Sequence, residues 1–142
     1  MTVAAADAPS GATAPADLLK QLKSVAEAAT VLRERAIAAF SKSVTSGGKI
    51  DGPALEREQH AAHGLAWIAT YVEALRQAAN YAERMQGEGR FGELEALLVQ
   101  IGAAEYAAQL AGGVVMSQNE LVRLAELSVS AEDQAAFLTA DV

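Results

Sequence analysis

Apolar residues recur at alternating intervals of four and three through Leu18, Leu22, Val25, Ala29, Leu32, Ala36 and Phe40. Lys20, Lys23, Glu27, Arg33 and Glu34 fall mostly off that line. A period near 3.6 puts one buried stripe on a helix, predicted to start after Pro15 and to run to about Val44. Asp17 is placed to act as its cap or first-turn acid. The run Thr45-Ser46-Gly47-Gly48-Lys49 breaks this helix, and Asp51-Gly52-Pro53 reads as a turn into the next one, with proline in its first turn.

The second predicted helix covers about Pro53 to Gln86. Leu65, Ile68, Val72, Leu75, Ala79 and Ala82 form one stripe, and Trp67, Tyr71, Ala74, Ala78, Tyr81 and Met85 form an adjoining one. Together they span about 200° of the wheel, so this helix should touch neighbours on two sides. Gly87-Glu88-Gly89 ends it, and a third helix is predicted from about Phe91 to Ala111. Leu94, Leu97, Leu98, Ile101, Ala104 and Ala108 make the main face of that helix, with Val99, Tyr106 and Leu110 opposite, a pattern predicting burial almost all round. Gly102, Ala103, Ala104, Ala107 and Ala108 are small enough for neighbouring backbones to come close. Gly112-Gly113 reads as its C-terminal stop. Val114 to Arg123 reads as turn or extended chain, and Ser130 as the cap of a short terminal helix over Ala131 to Leu138.

These elements make an all-α fold of three long helices plus a short C-terminal one. Composition strengthens that reading. The chain has 142 residues, 51% hydrophobic but only 5% aromatic, with 33 alanines and three prolines. Alanine is the best helix former, and β-branched and aromatic strand formers are sparse. The length suits one domain, expected over residues 15–142 behind a disordered leader at 1–14 rich in Ala, Pro, Ser, Thr and Gly. That leader lacks the basic start and apolar centre of a secretory signal, which points to the cytoplasm. Leu94 to Val115 is the longest apolar stretch, but Glu95, Gln100, Glu105 and Gln109 interrupt it, so no membrane span is expected. Three long helices leave more apolar surface than they can cover, which predicts self-association as a homo-oligomer or packing on another polypeptide.

A formal charge of −7 argues against nucleic acid and anionic membrane as partners, since phosphate binding draws on clustered Lys and Arg. Zero cysteines exclude disulfides, thiolate metal sites and a cysteine nucleophile. The two histidines, His60 and His63, fall within about 60° of Glu56 on the wheel, a chemically sensible set for a divalent metal. Carboxylate-bridged metal bundles repeat a Glu-x-x-His pair on a second helix, and none is present here. The competing reading, helix-interface histidines beside N-terminal glutamates, needs no metal and none is assigned. Glu105, on a nearly apolar helix, would be a candidate base if buried, yet no partner acid or nucleophile accompanies it. No Gly-x-Ser-x-Gly, Walker-type loop or Gly-x-Gly-x-x-Gly is present. Gln109-Leu110-Ala111-Gly112-Gly113 is the remaining motif: two glycines at a helix end admit a close backbone or ligand phosphate, and the glutamine can hydrogen-bond it.

The run Glu56 to Gln77, with Gly89-Arg90-Phe91-Gly92-Glu93 and Gln109 to Glu120, resembles the N-terminal helical extension of bacterial methylsuccinyl-CoA dehydrogenases, within the FAD-dependent acyl-CoA dehydrogenase family. The resemblance covers about half the chain. It implies an accessory helical segment with a structural or interaction role, docked on an acyl-CoA dehydrogenase body that desaturates a branched dicarboxylic acyl-CoA, with the catalytic base elsewhere. Gln109, Gly112 and Gly113 match the Gln-x-x-Gly-Gly pattern by which the family's C-terminal helical domain holds the adenosine diphosphate part of FAD in a neighbouring subunit. The Tyr-Glu catalytic element that follows it in the family is absent. Two other functions remain open from the residues alone: a helical protein taking an apolar or acyl ligand against Trp67, Tyr71 and Tyr106, and a metal-dependent enzyme using Glu56, His60 and His63.

Overall fold

A computed structural model describes residues 17–140, so the leader expected at 1–14 lies outside the described residues. Helix α1, Leu18–Ser43, buries every member of its predicted stripe, and Ala26 joins them. Asp17 occupies the N-cap position, but its side chain makes no capping hydrogen bond. The predicted break is a small hairpin: β1, Thr45–Ser46, pairs antiparallel with β2, Lys49–Ile50. Gly47 and Gly48 turn the chain between them at φ of 58° and 76°, a pair of positive angles that glycine adopts without steric cost.

The Asp51 carboxylate accepts from the Ala54 N–H at 3.0 Å and caps a short helix α2, Gly52–Arg57. Glu58 separates it from α3, Gln59–Gly87, so the single helix predicted over 53–86 is two. The two answer to different contacts. Helix α2 buries only Ala54, whereas α3 lays Ala61, Gly64, Ile68, Val72, Leu75, Ala79, Ala82 and Met85 into the core. Its second predicted stripe, Trp67, Tyr71, Ala74, Ala78 and Tyr81, is half-buried, consistent with neighbours on two sides.

Helix α4, Glu93–Gly112, corrects the expectation of burial all round. Its inward residues are Ala96, Val99, Ala103 and Leu110, with Tyr106 and Ala107 half-buried beside them. The face predicted as principal, Leu94, Leu97, Leu98, Ile101, Ala104 and Ala108, is exposed. Gly102 likewise has no atom within 4 Å of where a Cβ would stand, so it serves no close packing. Alanines at 96, 103 and 107 let the α4 axis lie close to its neighbours while Val99 and Leu110 fill the core beside them, and the opposite face, Leu94, Leu97, Leu98 and Ile101 included, is left pointing out.

The C-terminal part returns over α3. Strands β3, Val114–Val115, and β4, Leu121–Val122, pair antiparallel. A 3-10 turn at Leu124–Leu127 and helix α5, Ala131–Leu138, follow, and the Ser130 hydroxyl accepts from the Asp133 N–H at 3.0 Å, as its capping role predicts. Gly64 is what admits β4: a Cβ built there would stand 2.5–2.7 Å from the Val122 side chain. One turn earlier, His60 Nε2 lies 3.2 Å from the Leu121 carbonyl. The largest fully buried side chains, Leu32, Ile68, Val72, Leu110, Val114, Val122 and Leu127, come from α1, α3, α4, the second hairpin and the 3-10 turn, tying all of them into one apolar core.

Candidate functional site

An aromatic row runs along α3 at helical spacing. Trp67 Nε1 donates to His63 Nε2 at 3.0 Å, and the Trp67 and Tyr71 rings meet edge to face at 6.2 Å between centroids. Tyr71 then crosses to α4, where its ring lies 4.7 Å from that of Tyr106 and its hydroxyl donates to Gln109 Oε1 at 3.0 Å. The tyrosines offered by the sequence as a ligand lining therefore pack on each other across the α3–α4 contact.

Gln109 is thus committed through its side-chain oxygen to holding α4 against α3. Its backbone carbonyl accepts from the Gly113 N–H at 2.8 Å, closing the helix end. Gly113 adopts φ 133°, which side-chain-bearing residues rarely take, and a Cβ there would stand 3.0–3.2 Å from Leu121. Gly112 differs, having no atom within 4 Å of its Cβ direction. The three motif residues therefore present one open backbone position, one cap fixed by geometry and one bridging amide.

Glu56, His60 and His63 are not brought together. His60 Nε2 faces the Leu121 carbonyl and Glu126 Oε2, the latter at 3.3 Å, while His63 is partnered by Trp67. Glu56 instead lines a shallow groove with Pro53, Leu55 and Gln59. Among the described residues no group of three or more His, Cys, Asp or Glu side chains is arranged to hold a metal ion. Glu105 stands exposed on the outward face of α4, so the burial on which its candidacy as a base depended is missing. On the polar arc of α3, a hydrogen bond from Gln77 and then the Arg76 guanidinium hold the Glu73 carboxyl below its usual range. Lys23 reaches Glu83 at 2.6 Å between α1 and α3, a half-exposed pair worth at most about 1 kcal/mol.

What the periodicity missed is the exposed α4 face itself, although one signal was in plain view: Glu105 lies amid its apolar residues. Among the described residues, no helix is long and apolar enough to cross a membrane.

No family model matches the chain. Compared with curated proteins, it matches one region of a larger acyl-CoA dehydrogenase. That protein is a (2S)-methylsuccinyl-CoA dehydrogenase of Cereibacter sphaeroides, 47% identical over 113 residues, which make up 80% of this chain and 21% of the relative. The chain therefore spans about a fifth of the length of the enzyme it resembles.

Proposed function

We propose that this chain is the accessory helical module of an FAD-dependent acyl-CoA dehydrogenase acting on a methylsuccinyl-CoA-like thioester. The observation that carries this reading is the 47% identity, spread over 80% of the chain but confined to a fifth of a far longer enzyme. The body of the dehydrogenase holds the flavin and the catalytic base. The module precedes that body, works with it in the cytoplasm and contributes a rigid helical surface. The outward α4 face supports the reading, because a contiguous apolar strip on a well-packed helix is the form taken by a docking surface. Native purification from the producing cells with an antibody to this chain is expected to recover an acyl-CoA dehydrogenase, fused or bound, carrying yellow flavin. Recovery of the chain alone, free of any acyl-CoA dehydrogenase, overturns the proposal.

The open backbone at Gly112 supports a second reading, that Gln109, Gly112 and Gly113 approach FAD held by a neighbouring subunit. Gly112 lies within α4 and does not carry a positive φ, so a side chain there tests ligand approach without straining the helix. In the recovered dehydrogenase, Gly112→Val is expected to weaken FAD rebinding by about tenfold, a difference of about 1.4 kcal/mol. Unchanged flavin affinity removes the cofactor from this site.

A further inference from the structure

Leu94, Leu97, Ile101, Ala104 and Ala108 repeat at intervals of three and four on the outward side of α4, the seam spacing by which one helix meets another lengthwise. These are large exposures for such residues: Leu94 is 64% exposed, Leu98 60% and Ile101 61%. The seam also tapers. Leucines and isoleucine fill its first half and alanines its second, so a partner helix can approach more closely at the Ala104–Ala108 end, within the usual range of about 8–10 Å between axes.

Charge selects the occupant. Glu105 follows Leu98 by seven residues and so borders the seam on the same side. From Phe91 through Val122 the chain carries four glutamates and no lysine, arginine or histidine. Covering the seam desolvates the Glu105 carboxylate, and an unpaired carboxylate against apolar surface is costly. A second copy of the chain, docked through the same seam, brings another glutamate and no cation from α4. A helix with an apolar stripe and a positively charged side chain resolves both requirements at once.

Resting on the reading above, we infer that the outward face of α4 docks on a helix of the dehydrogenase body, with an Arg or Lys of that helix paired to Glu105. The apolar seam supplies area, and the charge pair sets the register of the two helices.

The chain has no cysteine, so single introduced thiols report this face directly. Maleimide labelling of Leu98→Cys, read by peptide mass spectrometry, is expected to be at least about tenfold slower in the assembled dehydrogenase than in the free chain, the ratio that a preference of about 1.4 kcal/mol for the covered state yields. Ile50→Cys, exposed on the first hairpin, serves as the reference and should label equally fast in both. Adding Glu105→Lys to Leu98→Cys is expected to restore fast labelling in the assembly, and Glu105→Gln to restore it in part. All three positions are exposed, so these changes leave the core intact. Equal labelling of Leu98→Cys in both forms overturns the inference while leaving the accessory-module reading in place; failure to recover any dehydrogenase strikes that reading instead. Protection in the free chain that rises with its concentration assigns the seam to a second copy and also overturns the inference. Protection insensitive to Glu105→Lys removes the paired cation.

Discussion

Leu32→Ala is expected to lower the unfolding free energy of the free chain by about 3 kcal/mol, whereas Leu98→Ala should change it by less than about 0.5 kcal/mol. The substitution removes the same atoms in both cases. Leu32 is only 2% exposed, between helices whose alanines have already brought the backbones close, so its truncation leaves a cavity that the core cannot collapse to fill. Leu98 points outward from α4, and removing its side chain opens no cavity. Urea unfolding with both slopes constrained to agree is the measurement, because a midpoint shift at constant slope reports stability alone. Similar losses for the two variants would mean that α4 is rotated and its leucines are inside.

Gly64→Ala should cost about 2 kcal/mol, although alanine is the better helix former by about 1 kcal/mol. Overpacking opposes that gain. The added Cβ would stand 2.5–2.7 Å from Val122 Cβ and its two methyl carbons, and a β-branched side chain has little freedom in χ1 with which to move aside. Val122 is also held in place, by its pairing with Val114 and by the approach of His60 to the adjacent Leu121 carbonyl. The check is a double-mutant cycle with Val122→Ala. The pair should be less damaging than the sum of the single changes by about 1 kcal/mol, since the smaller residue at 122 vacates the space that alanine at 64 needs. A stabilised Gly64→Ala variant would show that β4 does not rest on this notch.

The breaks at 45–49 and 87–89, the inward stripe of α1, the stop at Gly112-Gly113 and the cap Ser130 were all legible in the sequence by itself, whereas the capping oxygen placed at Asp17 sits at Asp51, which the sequence showed only as part of a turn. Each depends on local chemistry: a side-chain oxygen within reach of its own helix start, glycine where φ turns positive, or one apolar stripe facing an otherwise polar surround. Only the tertiary structure decided the orientation of α4, the split at Glu58, the notch at Gly64 and the partners of the two histidines. Helical periodicity sets the angles between residues around their own axis but carries no information about how that axis is rotated against its neighbours. Where one face alone is apolar, as on α1, burial removes the ambiguity. On α4 both faces are apolar, and packing against α1 and α3 made the choice: the face of Ala96, Val99, Ala103 and Leu110 went inward, and that of Leu94, Leu97, Leu98 and Ile101 stayed out. Gly64 and His60 likewise took their roles from a strand more than fifty residues away, a contact that no local spacing encodes.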